Sequence, residues 1–336
     1  MTKLFRTFLF SFLIFATLYA NNTPSQTLNI GILSFRLNSE NQHVWQPLVD
    51  QIHASNPQLN INLISGSLDD IDTLIAQNKL DFVIVHPAAF VKLEHKYGIS
   101  NIASIVRQSK VSGEHLSMYG GVIVTLASRH DIQTLADVRG KRIATTHKEG
   151  FAAMLMQQET LFEAGIDIRN ECKMLYTGQP SDTPIKALIN GEADIAFVRS
   201  GYLEEMIEKG EIKREDFSVI NPRKEKSFPY LLSTSLYPEW AVASTSRPSS
   251  ETIKAFTIAL FQIHTDASKD FHEFGIPLSN QAARELMQKF HIYPFNNPPT
   301  FKEIIKENSL FLIIFLAFLA LGSALFTLYY LLSSRR

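Results

Sequence analysis

The sequence predicts an α/β protein of two lobes, each an open sheet covered by helices, joined by two hinge crossings and followed by a C-terminal transmembrane helix. Three observations predict it. Strand-like and helix-like runs alternate along the N-terminal part, one strand-to-helix unit is echoed further down the chain, and a long uncharged apolar segment closes it. The 336 residues are enough for two cores, since single cores stop growing near about 250 to 300 residues.

The chain opens with "MTKLFRTFLFSFLIFATLYA": a basic head carrying Lys3 and Arg6, an apolar run from Phe8 to Leu18, and the small residue Ala20. That order predicts a secretory signal peptide over 1–20, with an uncleaved anchor as the alternative. "TLNIGILSF" then reads as a strand. "HVWQPLVDQIHASNP" carries Val44, Trp45, Leu48, Val49 and Ile52 at helical spacing, ended by Pro57. "QLNINLISG" alternates as a strand, "SLDDIDTLIAQNKL" as a capped helix, and "DFVIV" as the next strand. Such alternation predicts an open parallel sheet with helices on both faces.

The echo pairs "TLIAQNKLDFVIVHPAAFVKL" (73–93) with "KALINGEADIAFVRSGYLEEM" (186–206), so that Asp81 falls on Asp194, Val85 on Val198 and His86 on Arg199. Two lobes of like construction follow from it. "MYGGVIVTLAS" (118–128), entered through a Gly-Gly pair with its wide backbone freedom, and "LSTSLYPEWAVAS" (232–244) are extended runs suited to cross between lobes and return. Two crossings make a hinge. The expected boundaries are lobe one at 21–118, a crossing at 119–128, lobe two at 129–225, and the hinge return with the rest of lobe one at 226–300. A juxtamembrane spacer follows at 301–308, a membrane helix at 309–332 and a short tail at 333–336. The membrane helix rests on the 27 positions between Glu307 and Arg335 that hold no charge, when about 20 apolar residues span a bilayer. Arg335 and Arg336 place the tail inside.

Without Lys3, Arg6, Arg335 and Arg336, the part expected to be exported keeps 28 basic against 33 acidic residues, net −5. That excludes nucleic acid as a partner and bulk steering of anions, so an anion must be held by local donors. One cysteine, Cys172, excludes an internal disulfide. No GxxxxGK, HExxH, GxSxG, paired CxxC or Gly-rich dinucleotide loop occurs. Neither catalysis nor a cofactor is therefore expected. In "HTDASKDFHEF", His264, Asp266, Asp270 and His272 fall on different turns, as in a solvated helix face rather than a metal site.

Binding is better supported, because ligands of open sheets sit beyond the carboxyl ends of strands. Four segments end strands in this way: "SFR", "HPAAF", "TTHKEGF" and "RSGY". They nominate Arg36, His86, Thr145, Thr146, Lys148 and Arg199 as ligand-facing, a set of hydroxyls, an imidazole and cations suited to a small oxyanion. Helix capping explains Thr145, Thr146 and Lys148 as well as ligand contact does. Arg199 is stronger, since an arginine after a buried strand needs an anion or solvent. Thr177 and Tyr119 complete the candidate set, although Tyr119 and Trp240 read as core residues as readily as cleft walls.

The stretches "VWQPLVDQI", "KLDFVIVHPAAFVKLEHKYG", "LADVRGKRIATTHKEGFAAMLMQQETLFEAGID", "MLYTGQPSDTPIKALINGEADIAFVRSGYLEEM" and "LSTSLYPEWAVA" resemble the type II periplasmic binding proteins of the phosphonate-binding class. The resemblance runs from 27 to about 295 and is nearest to the sensor region of tetrathionate-type histidine kinases. It implies a bilobal clamp on a small anion, in the sensor branch a sulfur oxyanion such as tetrathionate or thiosulfate. It also implies a domain held in the periplasm by the inner membrane. The branch usually continues into a kinase where this sequence has "SSRR", so the expected partner is a separate sensor kinase, or alternatively the permease of an ABC transporter. Many members have Asn-Pro where this chain has His86-Pro87, a change expected to add a pH-dependent donor.

Overall fold

In the computed structural model the described residues are 26–34, 38–264 and 272–296, with helical positions 318, 319, 322 and 323. The expected signal peptide, the spacer, the tail and nearly all of the expected membrane helix lie outside them, as does Arg36. Among the described residues no helix is long and apolar enough to cross a membrane. Residues through Leu286 form one compact unit and those from Met287 a second. The second contains the end of helix Gln281–Lys289 and a turn closed by the Ile292 N–H on the Met287 carbonyl at 2.9 Å.

The first unit holds two large sheets. Strands β1 (Gln26–Leu33), β2 (Leu59–Gly66), β3 (Phe82–Val85), β4 (Ser100–Gln108) and β5 (His115–Leu116) begin the first. The chain then makes β6 (Met118–Tyr119) and the second-sheet strands β7 (Gly121–Leu126), β8 (Arg142–Thr145), β9 (Lys173–Tyr176), β10 (Ile195–Arg199) and β11 (Phe217–Ile220). It returns through β12 (Tyr237–Pro238) to add β13 (Ala241–Ser244) and β14 (Glu273–Gly275) to the first sheet. The orders are β14-β4-β13-β3-β1-β2, with β5 beside β4, and β11-β7-β10-β8-β9.

Both sheets are mixed rather than parallel. β2 and β3 flank β1 in parallel, but β13 runs antiparallel between β3 and β4. In the second sheet β8 pairs β9 and β10 in parallel, while β7 is antiparallel to β10 and β11. The reason is the path of the chain: β7 and β13 each enter their sheet from the crossing, opposite in sense to the strands that end there. The run 121–126, which the sequence assigned to the crossing, is thus a fully paired strand of the second sheet.

Apolar alternation places the cores. Leu28, Ile30 and Ile32 of β1 pack with Phe82, Ile84, Leu48, Ile52 and Phe256 in the first, all buried. The Phe82 and Phe256 ring centroids lie 4.2 Å apart. Val122, Val124, Ile185, Leu188, Ala196, Val198 and Phe217 fill the second. Each buried Val, Leu, Ile or Phe side chain among them contributes about 1.5–3 kcal/mol.

The sequence echo is an identical hydrogen-bond device in the two sheets. The Asp81 N–H donates to the Asn29 carbonyl and its carboxylate accepts the Asn29 N–H, both at 2.8 Å. Asp194 does the same with Arg142, at 2.8 and 2.9 Å. Each aspartate also takes arginine, Arg247 at 2.6 Å for Asp81, and Arg129 at 2.7 Å with Arg142 at 3.0 Å for Asp194. This fixes the start of β3 and of β10, and therefore where each strand delivers its last residue.

Between the sheets, β6 and β12 form a two-stranded antiparallel ribbon, Tyr119 opposite Tyr237. The adjacent glycines are needed for close approach, not for freedom. Neither Gly120 nor Gly121 has positive φ. A Cβ on Gly120 would lie 2.3 Å from Leu232 Cδ1, and one on Gly121 2.3 Å from Gln157 Nε2.

Candidate functional site

A cavity of about 180 Å³ lies where the strand ends of the two sheets face each other. Four strand ends reach it: Leu33 at the end of β1, His86 after β3, Thr146 after β8 and Arg199 at the end of β10. The wall comes from both lobes because β3 and β10 are started by the same aspartate device. Of the residues nominated from sequence, His86, Tyr119, Thr146 and Arg199 line the cavity. Thr145, Lys148 and Thr177 do not.

Local structure explains those three. Thr145 is fully buried, its hydroxyl donating to the Ala153 carbonyl. Thr177 bonds the Thr183 hydroxyl at 2.7 Å and the Thr145 carbonyl at 3.3 Å, tying the end of β9 to helix Thr183–Ile189. Lys148 lies exposed on the loop beyond Thr146. The loop enters a π-helical turn, Phe151–Leu155, that puts Phe151 and Ala152 into the wall. Gln157, fully buried, donates to the carbonyls of Ala152 and Val198, each at 2.9 Å, and so holds that turn against β10. A π turn leaves backbone groups free for such side-chain capture and recurs at functional sites.

The charged centre is Glu239, which follows β12 and is 1% exposed. Its Oε1 accepts Arg107 Nε from β4 and Arg199 Nη2 from β10, both at 2.8 Å. Burial opposes ionisation of Glu239, but Arg107 and Arg199 outweigh it and hold the carboxyl below its usual range. Arg107 also donates from Nη1 to His272 Nε2 at 2.7 Å, which makes His272 a neutral acceptor. Arg199 lies over the Tyr119 ring, 5.3 Å from its centroid. Burial and the neighbouring Glu239 push the Tyr119 hydroxyl well up, so it remains a neutral donor. Two buried donors here meet no acceptor among the described residues: the Tyr119 hydroxyl and Arg199 Nε.

His86 corrects an expectation. Its Nδ1 accepts the Ala89 N–H at 3.2 Å, capping helix Pro87–Tyr97, so its proton sits on Nε2. Burial, with Lys92 adding to it, pushes its pKa down to about 3. Burial thus keeps the imidazole neutral at ordinary pH, and it is no pH-dependent donor there. It stacks on Phe151 across the cleft, centroids 5.9 Å apart and planes at 2°, and meets Trp240 edge-on at 6.1 Å.

Sequence reasoning missed Arg107, Glu239 and Phe151, and left Trp240 undecided. The signals were present. "SIVRQ" ends an apolar run in arginine as "AFVRS" does, and "YPEWAVAS" sets one carboxylate inside an apolar extended run, which demands a buried cation. His272 joins the wall rather than a solvated helix face; Asp266 and Asp270 lie outside the described residues. Among the described residues no cluster of three His, Cys, Asp or Glu side chains is placed to hold a metal ion.

Comparison with known proteins agrees with this architecture. A family model described as "ABC transporter, phosphonate, periplasmic substrate-binding protein" matches residues 30–301. The tetrathionate sensor histidine kinase of Salmonella typhimurium is 28% identical over 268 residues, 80% of this chain. The chain spans 44% of the length of that relative. Among solved structures, PhnD1 from Prochlorococcus marinus, in complex with methylphosphonate, matches with TM-score 0.59 and 12% identity over 80% of this chain and 99% of that one. A binding-protein component of an ABC phosphonate transporter from Pseudomonas aeruginosa matches with TM-score 0.60 and 14% identity, over 90% and 99%. At these identities the solved structures show the fold, a bilobal periplasmic-binding-protein clamp.

Proposed function

The chain belongs to the family of ABC-transporter phosphonate periplasmic substrate-binding proteins, and on that premise we propose that it is a periplasmic receptor for a small oxyanion, held between its two lobes. The observation that carries the reading is the pair of unsatisfied buried donors, the Tyr119 hydroxyl and Arg199 Nε, beside two guanidiniums that share one carboxylate. Buried donors without acceptors are costly, about 1–3 kcal/mol each, and an oxyanion satisfies both. Ligand-facing roles fall to Arg199, Tyr119, Thr146 and Arg107, with His86, Phe151 and Trp240 as walls. Arg36 remains a candidate from its place after β1. Thr145 and Thr177 brace the surrounding loops, and Lys148 stands exposed outside the cavity wall. The family is one of solute-binding proteins, and no enzyme activity is proposed.

The apolar segment 309–332 anchors the receptor in the inner membrane, and closure on the ligand passes through it to a separate sensor kinase. Similarity to a sensor kinase over 80% of this chain supports the signalling role. The transporter reading, delivery of the anion to a permease, is favoured by the family model itself. Neighbouring genes separate the two: a kinase without its own sensor domain supports signalling, a permease and ATPase support transport. The binding reading is tested by thermal unfolding of the full chain with sulfur and phosphorus oxyanions. A ligand at 100 times its Kd adds about 2.7 kcal/mol of stability. Absence of any shift across such a panel counts against the receptor.

A further inference from the structure

Glu239 is buried and does not line the cavity, yet the guanidiniums of Arg107 and Arg199, which do, are both bonded to it. Its place is fixed by the backbone on either side. The Glu239 N–H donates to the Ser117 carbonyl at 2.8 Å, beside the β6–β12 ribbon, and the next carbonyl, that of Trp240, accepts the Ile105 N–H of β4 at 2.9 Å. Ile105 stands two residues before Arg107. The carboxylate is therefore anchored where the ribbon meets the first sheet, before any side chain is considered.

A guanidinium is planar, so fixing one edge and one face of it fixes the direction of its remaining N–H groups. Arg199 has its edge held at Nη2 by Glu239 Oε1 and its face over the Tyr119 ring. Its Nε, buried and without an acceptor among the described residues, takes its direction from those two contacts. Arg107 is held by the same oxygen at Nε and by His272 at Nη1. One oxygen thus draws together a guanidinium from each lobe, and the two would otherwise repel in a buried site. We infer that Glu239 is a positioning residue for the oxyanion: from outside the cavity wall it holds both arginines so that Arg199 presents Nε to the ligand. This inference rests on the receptor reading above. It predicts a sign opposite to that of simple charge. Removing a carboxylate near an anion strengthens anion binding if only Coulomb repulsion acts. Positioning predicts weaker binding, since freed guanidiniums regain rotamers that the ligand must then remove.

Two conservative substitutions separate these accounts. Glu239→Asp keeps the charge and shortens the reach, whereas Glu239→Gln keeps the reach and an acceptor oxygen but loses the charge. Calorimetric titration of the full chain in detergent is made with thiosulfate and, separately, with methylphosphonate, and melting of each ligand-free variant checks its folding. Glu239→Asp is expected to weaken binding of the anion that the wild-type protein takes up by about tenfold or more. Glu239→Gln is expected to fall between Glu239→Asp and wild type. Should Glu239→Gln not fold, Glu239→Asp decides alone. Unchanged affinity in Glu239→Asp, or tighter binding by Glu239→Gln than by wild type, overturns positioning and leaves the receptor standing. Variants that melt earlier yet bind as wild type does overturn it too, because they show a purely structural role. Wild-type protein that binds neither anion, nor any other small oxyanion, overturns the receptor reading and this inference with it.

Discussion

Arg199 is where the chemistry and the chain path coincide: the last residue of a buried strand, half satisfied by Glu239 and half unsatisfied at Nε. Arg199→Ala is expected to weaken oxyanion binding by about 1.5–3 kcal/mol, the value of a charge-assisted contact. Titration of the folded variant checks it, and unchanged affinity removes Arg199 from the site. Its counterpart in the other lobe carries a different prediction. His86 has its pKa lowered from 6.5 to about 3 by burial first and Lys92 second. The unfolded chain therefore binds a proton that the folded chain refuses, and stability rises with pH across that interval. The contribution of neutral His86 is present above 6.5 and is lost as pH falls toward 3, at up to about 1.4 kcal/mol per pH unit. Glu239, depressed below 4.5, adds its own loss only further down. His86→Asn, which keeps a helix-capping acceptor, is expected to flatten melting temperature between pH 6.5 and 4.5. An unchanged slope would mean that His86 is not the group responsible. The residue type at position 86 was legible in the sequence; its protonation was not, because that depends on Phe151 and Trp240, which come from distant segments.

At the scale of elements, the sequence disclosed most where a pattern is local. The strand-helix alternation and the offset between Asp81 and Asp194 were readable because each device lies within one strand and its neighbour. What escaped it was direction, since nothing in "GVIVTL" or "AVAS" records that these strands arrive from a crossing and run against their neighbours. The shared carboxylate escaped for a similar reason: Arg107, Arg199 and Glu239 stand on three segments that only the completed fold brings together. The aspartate devices make a comparative prediction. Asp194 serves two arginines and a backbone N–H, which hold its carboxyl well below the usual range, Arg142 through its side chain first. Asp81 serves one arginine and one N–H. Asp194→Asn is expected to cost about 1–3 kcal/mol, more than Asp81→Asn, in denaturant unfolding. Equal losses would show that the second arginine contributes nothing.

For the molecule as a whole, the question is what holds two lobes together before a ligand does. Several contacts among the described residues cross the cleft. Lys92 meets Glu149 at 2.6 Å, yet Glu149 is 62% exposed, so that pair is worth no more than about 1 kcal/mol and fades with salt. Arg107 and Arg199 both pair with Glu239, which belongs to the returning crossing. The stack of His86 on Phe151 is the direct apolar contact, its rings parallel and both buried. Aromatic pairing of this kind is worth about 0.5–1.5 kcal/mol beyond area. That is small enough for a ligand to reset, since a few kcal/mol of differential affinity moves such an equilibrium almost completely. Phe151→Leu keeps apolar volume while removing the ring, so lobe two should remain folded while the closed state loses its stack. Small-angle scattering of the ligand-free variant is expected to show a larger radius of gyration than wild type, and saturating ligand is expected to restore the wild-type value. A variant as compact as wild type without ligand would place the closing energy elsewhere, in Glu239 and its two arginines.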